Sequence, residues 1–262
     1  MKQVLIYLFS GTGTTRYIAE ELTKAFTKHK IKVTIKLIEQ DLPASPTNYD
    51  AVGILCPIHS FNMPKIVMDF IKKLPAGNQT KTFIINAAGE RSILNNAAPN
   101  LLIKKLKRKG YDFFYYQMFV MPSNFALRTK EKAVDRQIAR IKERAPQTVN
   151  NIINHQPSLP KGGFIARLAH FVGRLEWWGA KWLGKSFYTT EGCNKCQLCL
   201  KHCPNHNIIL KNNKLCFKAQ CGLCMRCIYL CPYGAIKVHK PFKFISIGKW
   251  YANKEIQIIK KQ

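Results

Sequence analysis

The sequence predicts an α/β fold, a doubly wound parallel sheet, followed by a small α+β module organised around cysteines. Three observations lead there. Apolar runs of strand length alternate with segments of helical periodicity over residues 2–155. Nine of the ten cysteines lie between Cys193 and Cys231, with only Cys56 elsewhere. The 262 residues, 47% hydrophobic and 21% charged, have an ordinary globular composition and suffice for one or two domains.

Residues 2–9 form a nearly continuous apolar run and predict a buried strand, ended by the turn Ser10-Gly11-Thr12-Gly13-Thr14-Thr15. Tyr17, Ile18, Leu22, Ala25 and Phe26 then follow helical spacing over 16–29. Residues 31–38 alternate as a strand, and 51–56 predict a buried strand before Pro57. A helix over 64–74 starts on its proline. The spacing predicts a strand over 82–86 and one helix over 92–109, stopped by Gly110. Residues 111–121 form a long aromatic strand, and Val134, Ile138, Ile141 and Val149 mark a charged helix over 129–153.

The first loop carries chemistry. A turn rich in glycine and hydroxyls, placed between a buried strand and a helix, offers unpaired N–H groups at the positive end of the helix dipole. Ser10, Thr12, Thr14 and Thr15 add hydroxyls, and Gly11 and Gly13 allow close approach of the backbone. No P-loop lysine follows, which argues against nucleoside triphosphate chemistry, and the dinucleotide fingerprint lacks its third glycine. The competing reading is a capped helix with a glycine turn and no ligand.

This loop resembles the S/T-x-T-G-x-T phosphate loop of flavodoxins, and the order of elements over 2–155 is similar to theirs. The resemblance implies the sheet order 2-1-3-4-5, with FMN over the strand C-termini at the topological switch point. Its ring contacts are then expected from the loops at Pro57–Pro64, where His59 and Phe61 stand, at Ala88 and Gly89, and at Asn124 after the fifth strand. Flavodoxins typically stack Trp and Tyr on the ring. Here His59 and Phe61 are the candidates and Ala87-Ala88-Gly89 supplies no aromatic, which leaves one ring face open to approach by a second redox centre. His59 also has a plain reading as a loop histidine.

The later cysteines form two copies of C-x2-C-x2-C-x3-C-P, 28 residues apart: Cys193, Cys196, Cys199 and Cys203, then Cys221, Cys224, Cys227 and Cys231. This is the ligand pattern of bacterial two-cluster ferredoxins, in which the fourth cysteine of each run serves the other cluster. The module over 187–240 resembles that family. It implies one [4Fe–4S] cluster on Cys193, Cys196, Cys199 and Cys231, and another on Cys221, Cys224, Cys227 and Cys203. Structural zinc also uses C-x2-C pairs, but a doubled triplet-plus-one ending in proline is not its habit. Between the repeats a hairpin is expected around Asn212-Asn213, with Cys216 as a small buried hydrophobe. The whole order resembles bacterial flavodoxin–ferredoxin fusion proteins, as does Met121-Pro122-Ser123-Asn124-Phe125.

The division is therefore 1–155 for the FMN-binding domain, 156–186 for a linker, 187–240 for the cluster module and 241–262 for a basic tail. In the linker, Phe164, Leu168, Phe171, Val172, Leu175, Trp178 and Trp182 share one face of a single helix over 163–183, while Arg167, Arg174 and Lys181 recur every seven residues on another. Such a helix either lies on an anionic membrane or bridges the two domains with its apolar face inward. The bridge is the expectation, because it removes an exposed patch.

Net charge is +28, and residues 192–262 hold 13 Lys and Arg against the single acid Glu255. Redox partner proteins with acidic surfaces are expected, with contact to an anionic membrane as a further candidate. Nucleic acid is disfavoured, since no helix-turn-helix, zinc finger or RNA-binding aromatic motif is visible. Charge-free runs such as 3–15 and 113–127 are too short to span a bilayer, and no secretory leader stands out, so a cytoplasmic location is expected. No Ser-His-Asp set, carboxylate pair or hydride site identifies a catalytic residue. The function expected is electron transfer between FMN and two clusters. A flavin-dependent reductase of a small substrate and a redox-sensing iron–sulfur binding protein are the alternatives.

Overall fold

The computed structural model describes residues 1–125, 129–239, 249, 251, 256 and 258. The tail expected over 241–262 therefore lies mostly outside the described residues. Five parallel strands, β1 (Gln3–Leu8), β2 (Lys32–Leu37), β3 (Ala51–Pro57), β4 (Lys81–Ala88) and β5 (Asp112–Val120), pair in the order β2-β1-β3-β4-β5. This is the order of the flavodoxin fold, as expected from the sequence. Strands β1 and β3 are buried almost throughout because helices cover both faces. Helices α1 (Thr14–Lys28) and α4 (Glu131–Ile153) close one face through Tyr17, Ile18, Leu22, Val134, Ile138 and Val149. Helices α2 (Lys65–Lys73) and α3 (Asn100–Arg108) close the other through Val67, Phe70, Ile71, Leu102 and Leu106. The open edge of β5 is blunted by Ser158, whose N–H donates to Phe114 O and whose carbonyl accepts from Tyr116 N.

The single helix expected over 92–109 is two pieces, a 3-10 turn at Ile93–Ala97 and then α3. Pro99 has no N–H with which to continue one helix into the next, so the chain restarts there. The linker helix is likewise broken, into α5 (Phe164–Gly173) and α6 (Glu176–Lys185). At the join, Arg174, Leu175, Trp177 and Trp178 donate to the third residue before them, which tightens the turn and bends the axis.

The face that turns inward is the second correction. Ala166, Gly173, Ala180 and Gly184 are buried, whereas Phe164, Leu168, Phe171, Val172, Leu175, Trp178 and Trp182 are exposed. A Cβ on Gly173 would stand 1.9 Å from Ser60 O, and one on Gly184 would stand 2.1 Å from Cys221 Cβ. Small residues let the helices lie directly on both halves of the chain, so the linker does bridge them, with its large apolar residues outward.

The module pairs β6 (Phe187–Thr189) with β9 (Ile236–Val238) and β7 (Ile208–Lys211) with β8 (Lys214–Phe217), both antiparallel. Asn212 and Asn213 both have positive φ, as the two-residue turn of the second hairpin requires. Leu215 is the strand residue that turns inward there. Cys216 next to it is partly exposed, contrary to the buried position expected, because neighbours on a strand point to opposite sides. Two short helices, α7 (Leu198–Lys201) and α8 (Arg226–Leu230), complete the module.

Candidate functional site

The hydroxyl-rich loop lies between β1 and α1, where the sequence places it. Gly13 caps the helix with φ +93°, a conformation that an L side chain resists. Ser10 Oγ accepts from Arg16 N at 3.2 Å, and Asn124 Nδ2 donates to Thr12 Oγ1 at 3.0 Å. The loop is nearly inaccessible, and the reason is the cysteine module. A Cβ on Gly11 would stand 2.2 Å from Cys224 O, so the backbones of the two motifs touch. From the basic tail, Tyr251 Oη donates to Thr12 Oγ1 at 2.7 Å.

Arg226, two residues beyond Cys224, ties the two motifs together. Its Nη2 donates to Ser10 O at 2.7 Å and to Glu39 Oε1 at 2.5 Å, and its Nη1 donates to His202 O at 3.3 Å. Both charged side chains of the pair are almost wholly buried. Burial lowers the Arg16 pKa nearby. Sequence reasoning missed Arg226, Glu39 and Tyr251. The only signal for Arg226 was its position inside a ligand motif.

A cavity of about 380 Å³ opens over the C-terminal ends of the strands. Of the residues expected around a flavin ring it is lined by His59, Phe61, Ala88, Gly89 and Asn124. Pro57 and residues 10–15 are not in its wall; Asn124 joins the two places, lining the cavity and bonding Thr12. Two residues from outside the α/β domain complete the wall: Leu223, between Cys221 and Cys224, and Glu176 of α6. Burial lowers the His59 pKa to about 4 and raises that of Glu176 to about 7. A flavin fits this chemistry in two respects. The cavity sets the apolar walls Ile58, Phe61 and Leu223 against the convergent polar groups His59, Asn95, Ser123 and Asn124, which can orient a ring with polar edges. In the loop behind it, Thr15 Oγ1 is buried with no hydrogen-bond partner among the described residues.

The eight motif cysteines fall into two groups. Cys193, Cys196, Cys199 and Cys231 line one small cavity; Cys203, Cys221, Cys224 and Cys227 line another. These are the two sets that the crossed assignment requires. The two loops are wound alike: Lys195 and Gln197 in the first, Leu223 and Met225 in the second, all have positive φ. Strain of this kind collects where geometry serves a function. Equivalent backbone donors then reach sulfur, Asn207 N to Cys203 Sγ at 3.2 Å and Ala235 N to Cys231 Sγ at 3.3 Å. Burial, reinforced by neighbouring thiols, pushes Cys221 up to about 12 and Cys199 to about 11, and it pushes Cys227 well up. Among the described residues no three His, Cys, Asp or Glu side chains converge on a point suited to a single metal ion.

A family model described as a flavodoxin domain matches residues 5–109. No curated protein matches the chain. Among solved structures, the two-electron reduced flavodoxin of Megasphaera elsdenii is 18% identical, covering 56% of this chain and 98% of its own, with a TM-score of 0.42. General stress protein 14 of Treponema denticola, in complex with FMN, is 12% identical over 60% of this chain and 100% of its own, with a TM-score of 0.44. An FMN-dependent NADH-azoreductase of Bacillus anthracis, in complex with FMN, is 10% identical over 57% and 100%, with a TM-score of 0.41.

Proposed function

We propose that the chain is an electron-transfer protein in which FMN and two [4Fe–4S] clusters exchange electrons. Bound FMN would supply one- and two-electron chemistry and each cluster one-electron chemistry, so the pair would join two-electron and one-electron partners. One observation supports the reading above the rest: Leu223, from the middle of a cysteine motif, lines the same cavity as His59, Phe61 and Asn124. A ring held there would have the loop of Cys221 and Cys224 along the face that the sequence left without an aromatic.

The chain's own residues then bind, orient and exclude water. Loop residues Ser10 to Thr15 would hold the phosphate through hydroxyls and N–H groups, with the orphaned Thr15 Oγ1 as one donor. His59, kept neutral, offers a ring without added charge, and Phe61 an apolar wall. Cys193, Cys196, Cys199 and Cys231 would hold one cluster, and Cys221, Cys224, Cys227 and Cys203 the other. Backbone donors to Cys203 and Cys231 would stabilise the negative sulfurs.

Anaerobic purification with metal and flavin analysis tests this. The expected result is about eight irons and eight sulfides per chain, one FMN, and cluster bleaching when the flavin is photoreduced. A folded chain that takes up neither iron nor flavin would overturn the reading. The excess of basic residues favours partners with acidic surfaces, for which electron transfer rates should fall steeply with added salt.

A further inference from the structure

We propose that α5 and α6 form a docking surface for an anionic phospholipid bilayer, on which the protein lies peripherally. This goes beyond the redox reading and does not depend on it. Phe164, Leu168 and Phe171 on α5, and Leu175, Trp178 and Trp182 on α6 and the turn before it, recur at spacings of four and three, which gives each of the two helices an outward apolar row. Every one of them is more than half exposed, Phe164 at 81% and Trp182 at 70%. Soluble surfaces rarely carry so continuous an apolar patch without a use for it.

The opposite side of these helices is occupied, which fixes their orientation. Ala166, Gly173, Ala180 and Gly184 are buried against the body, and Trp177 Nε1 donates to Met63 O at 3.2 Å. Rolling the helices to bury these rows would drive large side chains into Ser60 and Cys221, where not even a Cβ fits. The outward rows are therefore built into the packing.

Charge identifies the occupant. Arg167, Arg174, Lys181 and Lys185 follow one edge of the rows. Lys181 Nζ stands 5.0 Å from the Trp178 ring centroid and Lys185 Nζ 5.5 Å from that of Trp182. Cations beside outward indoles are the pattern of an interfacial helix, with rings at headgroup depth and ammonium groups among the phosphates. A second copy of the chain would suit the rows poorly. On the heptad that places the six residues at a and d, the cations Arg167, Arg174 and Lys181 take g, while e holds Ile165, Val172 and Gly179. No acid is there to answer them, and each copy adds a net charge of +28. No helix among the described residues is long and apolar enough to cross a membrane, so the contact is one of surface.

The full chain is to be mixed with vesicles of phosphatidylcholine alone, and with vesicles in which about a third is phosphatidylglycerol, and followed by co-sedimentation and tryptophan fluorescence. Binding to the anionic vesicles with a blue shift is expected, at least about tenfold weaker on neutral lipid or in high salt. The variant carrying Trp178→Ser and Trp182→Ser changes only exposed positions, and should lose at least about tenfold in affinity with its circular dichroism unchanged. Lys181→Glu with Lys185→Glu should lose the anionic preference. The proposal is overturned by no binding to anionic vesicles, by equal binding to both lipids, or by binding that survives the tryptophan changes. It is overturned equally by a concentration-dependent dimer that the same changes abolish, since the occupant would then be a second copy.

Discussion

Replacing Arg226 by Met tests whether the cysteine module is locked to the hydroxyl-rich loop by charge. The Arg226 and Glu39 side chains are 5% and 4% exposed, and the guanidinium also donates to Ser10 O and His202 O. Removing the cation strips the buried Glu39 carboxylate of its hydrogen-bonded partner, leaving only the charge of Arg16 nearby, and takes a donor from two carbonyls. Breaking a buried pair from one side costs about 3–5 kcal/mol, against about 0–1 kcal/mol for an exposed pair such as Lys72 with Asp69. The measurement is anaerobic urea unfolding of the wild type, Arg226→Met, Glu39→Leu and the double variant. The double variant should recover most of the loss, because a pair replaced by apolar groups of similar volume is nearly neutral. A single-variant loss below about 1 kcal/mol, or a double variant no better than Arg226→Met, would refute the argument. In either case the pair would not be setting the register between the two motifs.

Other perturbations have equally definite outcomes. Gly11→Ala places a methyl 2.2 Å from Cys224 O, so it should separate the loop from the module and weaken FMN retention, read by equilibrium dialysis. Crossed ligation predicts that Cys203→Ala damages the same centre as Cys224→Ala, while Cys196→Ala damages the other; each should halve the iron, and the Cys203/Cys224 double variant should lose no more than either single. His59, held near 4 against an ordinary 6.5, is neutral in the fold, so the unfolded chain binds more protons between those values and stability should fall as pH drops from about 6.5 to 4. Glu90 and Glu176 share its cavity, and Glu176 acts the other way: raised to about 7, it keeps its proton in the fold, so its contribution is lost as pH rises from about 4.5 to 7. Thermal midpoints of His59→Asn and Glu176→Gln against pH should therefore flatten on the acid and the near-neutral side respectively.

The parts of the site that the sequence made legible are those where a residue type has few uses. Glycines and hydroxyls in one turn point to an N-terminal anion site, and triplets of cysteine with a fourth and a proline point to two sulfur pockets. Arg226 gave no comparable signal, because one arginine among 42 basic residues is unremarkable until Glu39 is found beside it. Tyr251 gave none either; its bond to Thr12 spans most of the chain. The linker shows why large residues can mislead. The stripe of Phe, Leu and Trp suggested an inward face, but packing distance is limited by what lies under a helix. The small residues Ala166, Gly173, Ala180 and Gly184 settled which side turns in.

That packing bears on how the two halves work together. One hydrophobic cluster runs without a break from Ile6, Tyr17 and Val149 of the α/β domain to Phe187, Ile208, Met225 and Tyr229 of the module. On the far face of the sheet, Trp177 and Cys224 pack against the cluster that contains Phe9 and Met63. The module thus seats on the C-terminal edge of the sheet and touches the apolar layers on both sides of it. Domains joined only by a tether move relative to each other by default, and a large apolar junction removes that freedom. With Gly11 against Cys224 and Leu223 in the cavity wall, the geometry between the loop, the cavity and the nearer cysteine set is fixed by core packing. Exchange of electrons across it would then need no docking step. Any step that responds to partner or salt belongs to the outer surface, where the basic charge lies.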